Sequence, residues 1–341
     1  LSAAGASVGL GNIWRFPYLA AKYGGGIFLL VYIILALTFG YTLIMAETSL
    51  GRMTRKSPVG AFESFGNSRF ISIGGWINAI IPILIVPYYS VIGGWVIKYL
   101  IEYFAGHSKT LAGDAYFTTF ISNGWSTEIC FIIFTLFTLG IIYAGVRNGI
   151  ERVSRFMMPI LIVLSLIIAV YSVTRPGAIE GVKYFLVPNF DHFSWMTVVS
   201  AMGQMFYSLS IAMGILITFG SYMKKDTSIE KSTENVEIFD TAIAIMAGLM
   251  IIPAVFAFSG GNAETLKSGP ALMFITIPKV FANMGFGTAI GIVFFLLVLF
   301  AAVTSSIALT ESAVSTFEDE LHWSRKKSTV FMGMVMLLLG T

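Results

Sequence analysis

The chain reads as an all-α integral membrane protein, a multi-span helical bundle, and three observations point there. Of its 341 residues 56% are hydrophobic and only 11% charged, with a mean hydropathy of +0.83, which is more apolar surface than a soluble globular domain has use for. Seven runs contain no Asp, Glu, Lys or Arg: 27–46, 70–97, 129–146, 156–173, 193–223, 241–263 and 280–310. Each reaches the roughly 18 to 20 residues that a bilayer span requires. The third observation is the placement of positive charge. Segments 52–69, 147–155, 224–231 and 325–327 hold 13 of the 21 Lys and Arg, whereas the alternate segments near 22, 98–128, 175–183 and 267–279 hold 7. The positive-inside rule makes the first set cytoplasmic and puts the start of the first span inside.

Taken in order, the opening segment, residues 1 to about 20, is the first span. It is not an ordinary one. GLGNIWRFPY, Gly9 to Tyr18, brings Asn12 and Arg15 to membrane depth, has flexible Gly9 and Gly11, and carries Pro17, which removes a backbone donor. A helix broken at this motif is tolerated only where it lines a protein-enclosed or water-filled cavity, so the first span predicts a binding site. Gly24 to Gly26 read as a turn rather than a phosphate loop. The next seven spans are the uncharged runs, and the tail from about 328 is the ninth. Pro82, Pro87, Pro159 and Pro253 are expected to kink or pack their spans, and Glu47, near the inner end of the second, is read as structural, paired with backbone or a basic neighbour. The chain begins on Leu and stops inside the ninth span, so residues 1–341 are expected to be one transmembrane domain cut at both ends.

Several functions are disfavoured. One Cys and three His, with no HExxH or paired-Cys pattern, give no zinc, redox or nucleophile–base motif, so an enzyme is the least supported class. The lone Cys130 excludes an internal disulfide framework, and no Asn-x-Ser/Thr sequon occurs; both suit the inner membrane of a prokaryotic cell. No basic tract suggests nucleic acid, no cleavable leader is expected, since the first apolar segment carries the broken-helix motif, and no signal of oligomeric state is found. Oxygen donors, the ligands of hard cations, do recur inside the spans: Asn12, Ser208, Ser210, Asp240, Thr304 and Ser305. Ala301, Thr304 and Ser305 stand at i, i+3 and i+4, on one helix face.

GLGNIWRFPY with the following GGG, ETSLGR at Glu47 to Arg52, GQMFYSLSIAMG at Gly203 to Gly214, and TSS at Thr304 to Ser306 ahead of EDEL occur in one order over the whole chain. In these motifs it resembles the neurotransmitter:sodium symporter family, and among its members the bacterial amino acid carriers of leucine, tryptophan and tyrosine type. The resemblance implies the leucine-transporter-type fold, with inverted repeats and with helices 1 and 6 broken. It implies a sodium-coupled symporter of an apolar or aromatic amino acid working by alternating access, with two Na+ sites.

One sodium site would use the Ser7 carbonyl, Asn12, Ser208 and Asp240, closed by the substrate carboxylate. The other would use the carbonyls of Gly5, Val8 and Ala301 with the hydroxyls of Thr304 and Ser305. The substrate would lie against Ser7, Gly9, Gly11, Tyr89, Ser208, Ser210, Met213 and Leu309, under Tyr207 as a lid. A flexible Met at 213 is compatible with a large apolar or aromatic side chain. Arg15 and Tyr207 would gate the outer side, and Tyr222 with Asp319 the inner.

Chloride-dependent animal members of the family have an amide where this chain has Asp240, and a small hydroxyl residue where it has Ala244. A fixed carboxylate beside sodium would replace chloride, so chloride independence is expected; the alternative is that Asp240 merely caps a helix at the cytoplasmic interface. Two other functions fit the same fold, a sodium-independent proton-coupled or exchange carrier and a non-transporting amino acid sensor. The hydroxyl pair at Thr304 and Ser305 argues against the first.

Overall fold

The computed structural model describes residues 8–66, 68–260 and 269–341, and these are helical throughout, without a named strand. Segment α1 runs over 11–22, as a π-helical turn Gly11–Arg15 continued by Phe16–Lys22. It is followed by α2 (Gly26–Thr54), α3 (Pro58–Glu63), α4 (Arg69–Phe104), α5 (Ser108–Leu111), α6 (Tyr116–Ser122), α7 (Gly124–Tyr143) and α8 (Asn148–Val173). The second half holds α9 (Ala178–Leu186), α10 (Trp195–Ser208), α11 (Ile215–Tyr222), α12 (Ile229–Ser259), α13 (Leu272–Ala282), α14 (Gly287–Glu320) and α15 (Arg325–Gly340). Among the described residues six helices are long and apolar enough to cross a membrane: α2, α4, α7, α8, α12 and α14. The remaining expected spans are the interrupted first and sixth and the 16-residue α15.

Helix α14 is the most enclosed, with every residue from 301 to 316 buried. It packs along α4 and against α8, while α12 packs against α8, α9 and α1. Large apolar residues on the outer faces, such as Leu37, Leu84, Leu136, Phe156 and Val170, are more than half exposed; in a multi-span protein that face is solvated by lipid tails.

Pro82 and Pro87 lie inside α4, Pro159 inside α8 and Pro253 inside α12, and all three helices run on past them. The expected glycine turn stands between α1 and α2, with Gly24 and Gly25 at φ of 98° and 60°.

The first interruption lies at the start of the motif that predicts it. Helical backbone begins at Leu10 and continues through Pro17 to Lys22, so Pro17 does not break the span. It follows directly on the wider π-helical turn Gly11–Arg15, a local adjustment of the ladder that accommodates its missing N–H. The non-helical residues are Val8 and Gly9. Gly5 and Ser7 lie outside the described residues.

The sixth span, one uncharged run in the sequence, is two helices. Between α10 and α11 the chain turns through Ser210 (φ 56°), Ala212 (φ 60°) and Gly214 (φ 69°), a left-handed conformation that costs a non-glycine residue energy and persists only when its surroundings fix it. One fixture is Glu47, whose Oε1 accepts the Ala212 N–H at 2.8 Å. The carboxylate of α2 thus substitutes for a lost helical carbonyl.

Helix α2 and half-helix α11 meet backbone to backbone. A Cβ on Gly51 would stand 1.9 Å from the Ile217 carbonyl oxygen, and one on Gly220 2.4 Å from that of Thr48. Replacement Gly51→Ala is therefore expected to destabilise the protein by about 1–3 kcal/mol through overpacking, seen as a lower melting temperature of the purified protein; an unchanged melting temperature would show that this contact yields.

Candidate functional site

The two interruptions meet directly, Asn12 Nδ2 donating to the Ser208 hydroxyl at 2.9 Å. Val8 and Gly9 are not helical, and side chains take up the backbone N–H groups where the helix starts. The Gly9 N–H donates to Asn12 Oδ1 at 3.1 Å, and the Leu10 N–H to the Tyr89 hydroxyl at 2.9 Å. Close approach requires glycine here: a Cβ on Gly9 would lie 2.3 Å from Ser305 Oγ and 2.8 Å from the Tyr89 hydroxyl, and one on Gly11 would lie 2.5 Å from the Tyr207 ring.

Asp240 is fully buried in α12. It is not the helix cap, a role Ser228 fills by accepting the Lys231 N–H, so the capping alternative is excluded. Its carboxylate accepts from Asn12 Nδ2 at 2.8 Å, from the Ser208 hydroxyl at 2.8 and 2.9 Å, and from the Tyr32 hydroxyl at 2.9 Å. All three are neutral, and Asp240 forms no ion pair among the described residues. A carboxylate buried without a cation retains much of its desolvation penalty, several kcal/mol. A positive ion beside it would offset that penalty. To serve one, Asn12 must turn its amide by half a revolution, because Nδ2 now faces the carboxylate and the carbonyl faces Gly9.

A second set of oxygens converges where α14 passes the first interruption. The Val8 carbonyl accepts from Ser305 Oγ at 3.1 Å and Thr304 Oγ1 at 3.5 Å, and Thr304 Oγ1 also reaches the Ala301 carbonyl at 3.2 Å. These four donors are carbonyl and hydroxyl oxygens, the chemistry that suits a hard monovalent cation rather than a transition metal.

Between the two sets lies a small cavity. It is lined by Gly9, Gly11, Asn12, Tyr89, Tyr207 and Ser208, then by Ser210, Met213, Ser305 and Leu309. Eight of the nine residues expected around a substrate are thus brought together; the ninth, Ser7, is outside the described residues. Two further wall residues, Ile85 and Ile215, were not anticipated. Ile85 lies one turn before Tyr89 on α4, an i, i+4 relation the sequence does contain; Ile215 has no signal beyond opening α11. The cavity volume is about 30 Å³, space for one or two water molecules. Small-molecule sites generally enclose about 300–1,000 Å³, so admitting a ligand requires the walls to move.

On the outer side the Arg15 guanidinium lies over the Tyr207 ring, 5.1 Å from its centroid, and Gln204 Nε2 donates to the Gly11 carbonyl at 3.1 Å. On the inner side Tyr222 and Asp319 belong to separate networks. The Tyr222 hydroxyl donates to Glu311 at 2.7 Å, and Arg325 grips the same buried carboxylate at 3.0 and 2.5 Å. Asp319 accepts the Ser57 N–H at the start of α3, at 2.5 Å. Glu311, Arg325, Gln204 and Tyr32 were missed in the sequence, since each is one polar residue on a regular helix.

Tyr89→Phe is expected to leave the buried Leu10 N–H without its acceptor, a loss of about 1–3 kcal/mol. The half-saturating substrate concentration should rise by about tenfold; wild-type values would mean that the hydroxyl is idle.

Two interrupted helices, an oxygen-lined interior and closures on opposite sides define an ion-coupled membrane carrier. The chain belongs to the sodium:neurotransmitter symporter family, whose model matches residues 1–131 and 117–341. It is 35% identical over its full length to the sodium-dependent transporter YhdH of Bacillus subtilis, covering 75% of that protein. It is 32% identical to a sodium-dependent transporter of Haemophilus influenzae, again over its full length and 76% of the relative. Among solved structures it is similar to MhsT in complex with L-phenylalanine, with a TM-score of 0.90 and 37% identity, covering all of this chain and 77% of that one. It is accordingly a multi-pass membrane protein and a sodium-dependent transporter, not an enzyme, and has the leucine-transporter-type fold.

Proposed function

We propose that the chain couples sodium entry to uptake of an apolar or aromatic amino acid through two sodium sites, without chloride. The observation that carries this reading is the buried Asp240 carboxylate, held by neutral donors only, directly behind Asn12 and Ser208 of the cavity wall. A sodium ion there offsets the charge, and the substrate carboxylate completes its shell. Asn12, Ser208 and Asp240 would hold this ion, with the Ser7 carbonyl. Val8, Ala301, Thr304 and Ser305 would hold the second, with the Gly5 carbonyl.

The substrate carboxylate is received by Tyr89 and by the backbone N–H groups near Gly9 and Gly11, where the start of α1 adds the positive end of a helix dipole. Its side chain points among Ile85, Met213, Ile215 and Leu309. Three of these are aliphatic and the fourth is an adaptable thioether, a wall that favours an apolar or aromatic ligand. The phenylalanine named for the similar MhsT complex supports the same class.

Substrate and sodium share one shell, so each raises the affinity of the other by the same factor. Alternating access follows if Arg15 and Tyr207 open outward while the Tyr222 and Asp319 networks hold, and the reverse.

The test is uptake of a panel of labelled amino acids by the full-length protein in liposomes. An inward sodium gradient is expected to drive accumulation of phenylalanine, tryptophan or leucine, unaltered when gluconate replaces chloride. Equal uptake in potassium would overturn the sodium coupling, and collapse in gluconate would overturn the chloride independence.

A further inference from the structure

A second, unrelated constellation stands at the cytoplasmic end of α2. Arg52 donates to the carbonyls of Lys225 and Thr227, and Arg55 to those of Met223 and, at 3.0 Å, Ser221. The two guanidiniums thus clasp the segment leaving α11. Beside them opens a groove of about 740 Å³. Its charged wall is Arg52, Arg55 and Lys225; its apolar wall includes Leu50, Met53, Phe65 and Ile229; no acidic residue lines it. None of the three cations forms an ion pair among the described residues, whereas Lys98, Lys279 and Arg325 each do.

The apolar wall continues up the helix. Phe39, Ala46 and Met53 follow at intervals of seven, so they share one face of α2, and all three are exposed. That stripe leads from the three cations at the inner end of the span toward its middle. A soluble anion has no use for the stripe, and an uncharged lipid none for the three cations. An anionic amphiphile uses both.

We propose that this groove binds an anionic glycerophospholipid of the inner leaflet. Its phosphate lies against Arg52, Arg55 and Lys225, and one acyl chain follows Met53, Ala46 and Phe39. Juxtamembrane basic residues attract anionic headgroups by about 1 kcal/mol each, and guanidinium pairs with phosphate through parallel hydrogen bonds. Because both arginines also clasp 221–227, a phosphate bound to them tightens the link between α2 and the segment that carries Tyr222.

Native mass spectrometry of the full-length protein, titrated with phosphatidylglycerol or with phosphatidylcholine of the same chains, tests this. Phosphatidylglycerol is expected to be retained preferentially. Lys225→Gln, which leaves the backbone carbonyl used by Arg52 in place, should weaken its retention about fivefold. Met53→Gln should weaken it as well while keeping every cation, and Lys22→Gln, outside the groove, should not. Equal retention of phosphatidylcholine, or an unaltered Lys225→Gln variant, would overturn the proposal. So would displacement of the lipid by millimolar inorganic phosphate in a protein indifferent to Met53→Gln, since the site would then take a soluble anion.

Discussion

Asp240→Asn is expected to stop sodium-driven uptake in gluconate medium. The carboxylate has no other cation among the described residues, and it accepts from Asn12, Ser208 and Tyr32 at 2.8 to 2.9 Å. An amide keeps the shape but loses the charge. Removing one partner of a buried ion pair costs about 3–5 kcal/mol, and each 1.4 kcal/mol is about a factor of ten in affinity. Half-saturating sodium should therefore rise by at least about a hundredfold. If the carboxylate acts in place of a chloride ion, the double variant Asp240→Asn with Ala244→Ser should regain uptake when chloride is supplied and lose it in gluconate. Sodium titrations of uptake in the two media read both effects. A single variant as active as wild type in gluconate would remove Asp240 from the sodium shell.

The second large effect is expected of Gly9→Ala. One methyl group there would stand 2.3 Å from Ser305 Oγ and 2.8 Å from the Tyr89 hydroxyl, far inside van der Waals contact. Both partners must then move, and each belongs to a different proposed site, Ser305 to the second sodium and Tyr89 to the substrate carboxylate. Overpacking of this kind costs about 1–3 kcal/mol in a yielding core, but its consequence for transport is larger because positions 1 Å out cease to coordinate. Uptake should fall below detection, and the stabilisation of the purified protein by sodium over potassium should shrink. Adding Ser305→Ala relieves the shorter contact, so the double variant should recover thermal stability without recovering sodium-dependent stabilisation. Recovery of both would show that the Ser305 hydroxyl is not a ligand.

How far the sequence reached depends on the kind of signal each residue leaves. The spans were legible because lipid forces long uncharged runs, and Arg15 with Asn12 marked the first as exceptional because membrane helices rarely carry such groups. Ala301, Thr304 and Ser305 were legible through their helical spacing, and the fold lays the hydroxyls of Thr304 and Ser305 against the Val8 carbonyl. The first break was legible at the motif that opens on Gly9: the non-helical residues are Val8 and Gly9, and Pro17, further along the same motif, lies within continuous helix. The sixth break left no mark in hydropathy, since Ser210 and Ala212 take left-handed backbone for tertiary reasons, under the hold of Glu47. Tyr32, Gln204 and the Tyr222–Glu311 contact were illegible for the same reason: their partners are remote in the chain.

The glycine contact between α2 and α11 has a mechanical meaning. With Gly51 against Ile217 and Gly220 against Thr48, neither helix can slide past the other, and the Glu47 hydrogen bond to Ala212 ties them a third time. Helix α2 carries its own π-helical turn at Ala36–Gly40, and Gly40 packs on Leu209, the residue just past the end of α10. Both polypeptide segments are thus loosened at one level and welded below it. The lower parts are therefore expected to tilt as one body, so that a displacement of either would be delivered to the other without slack.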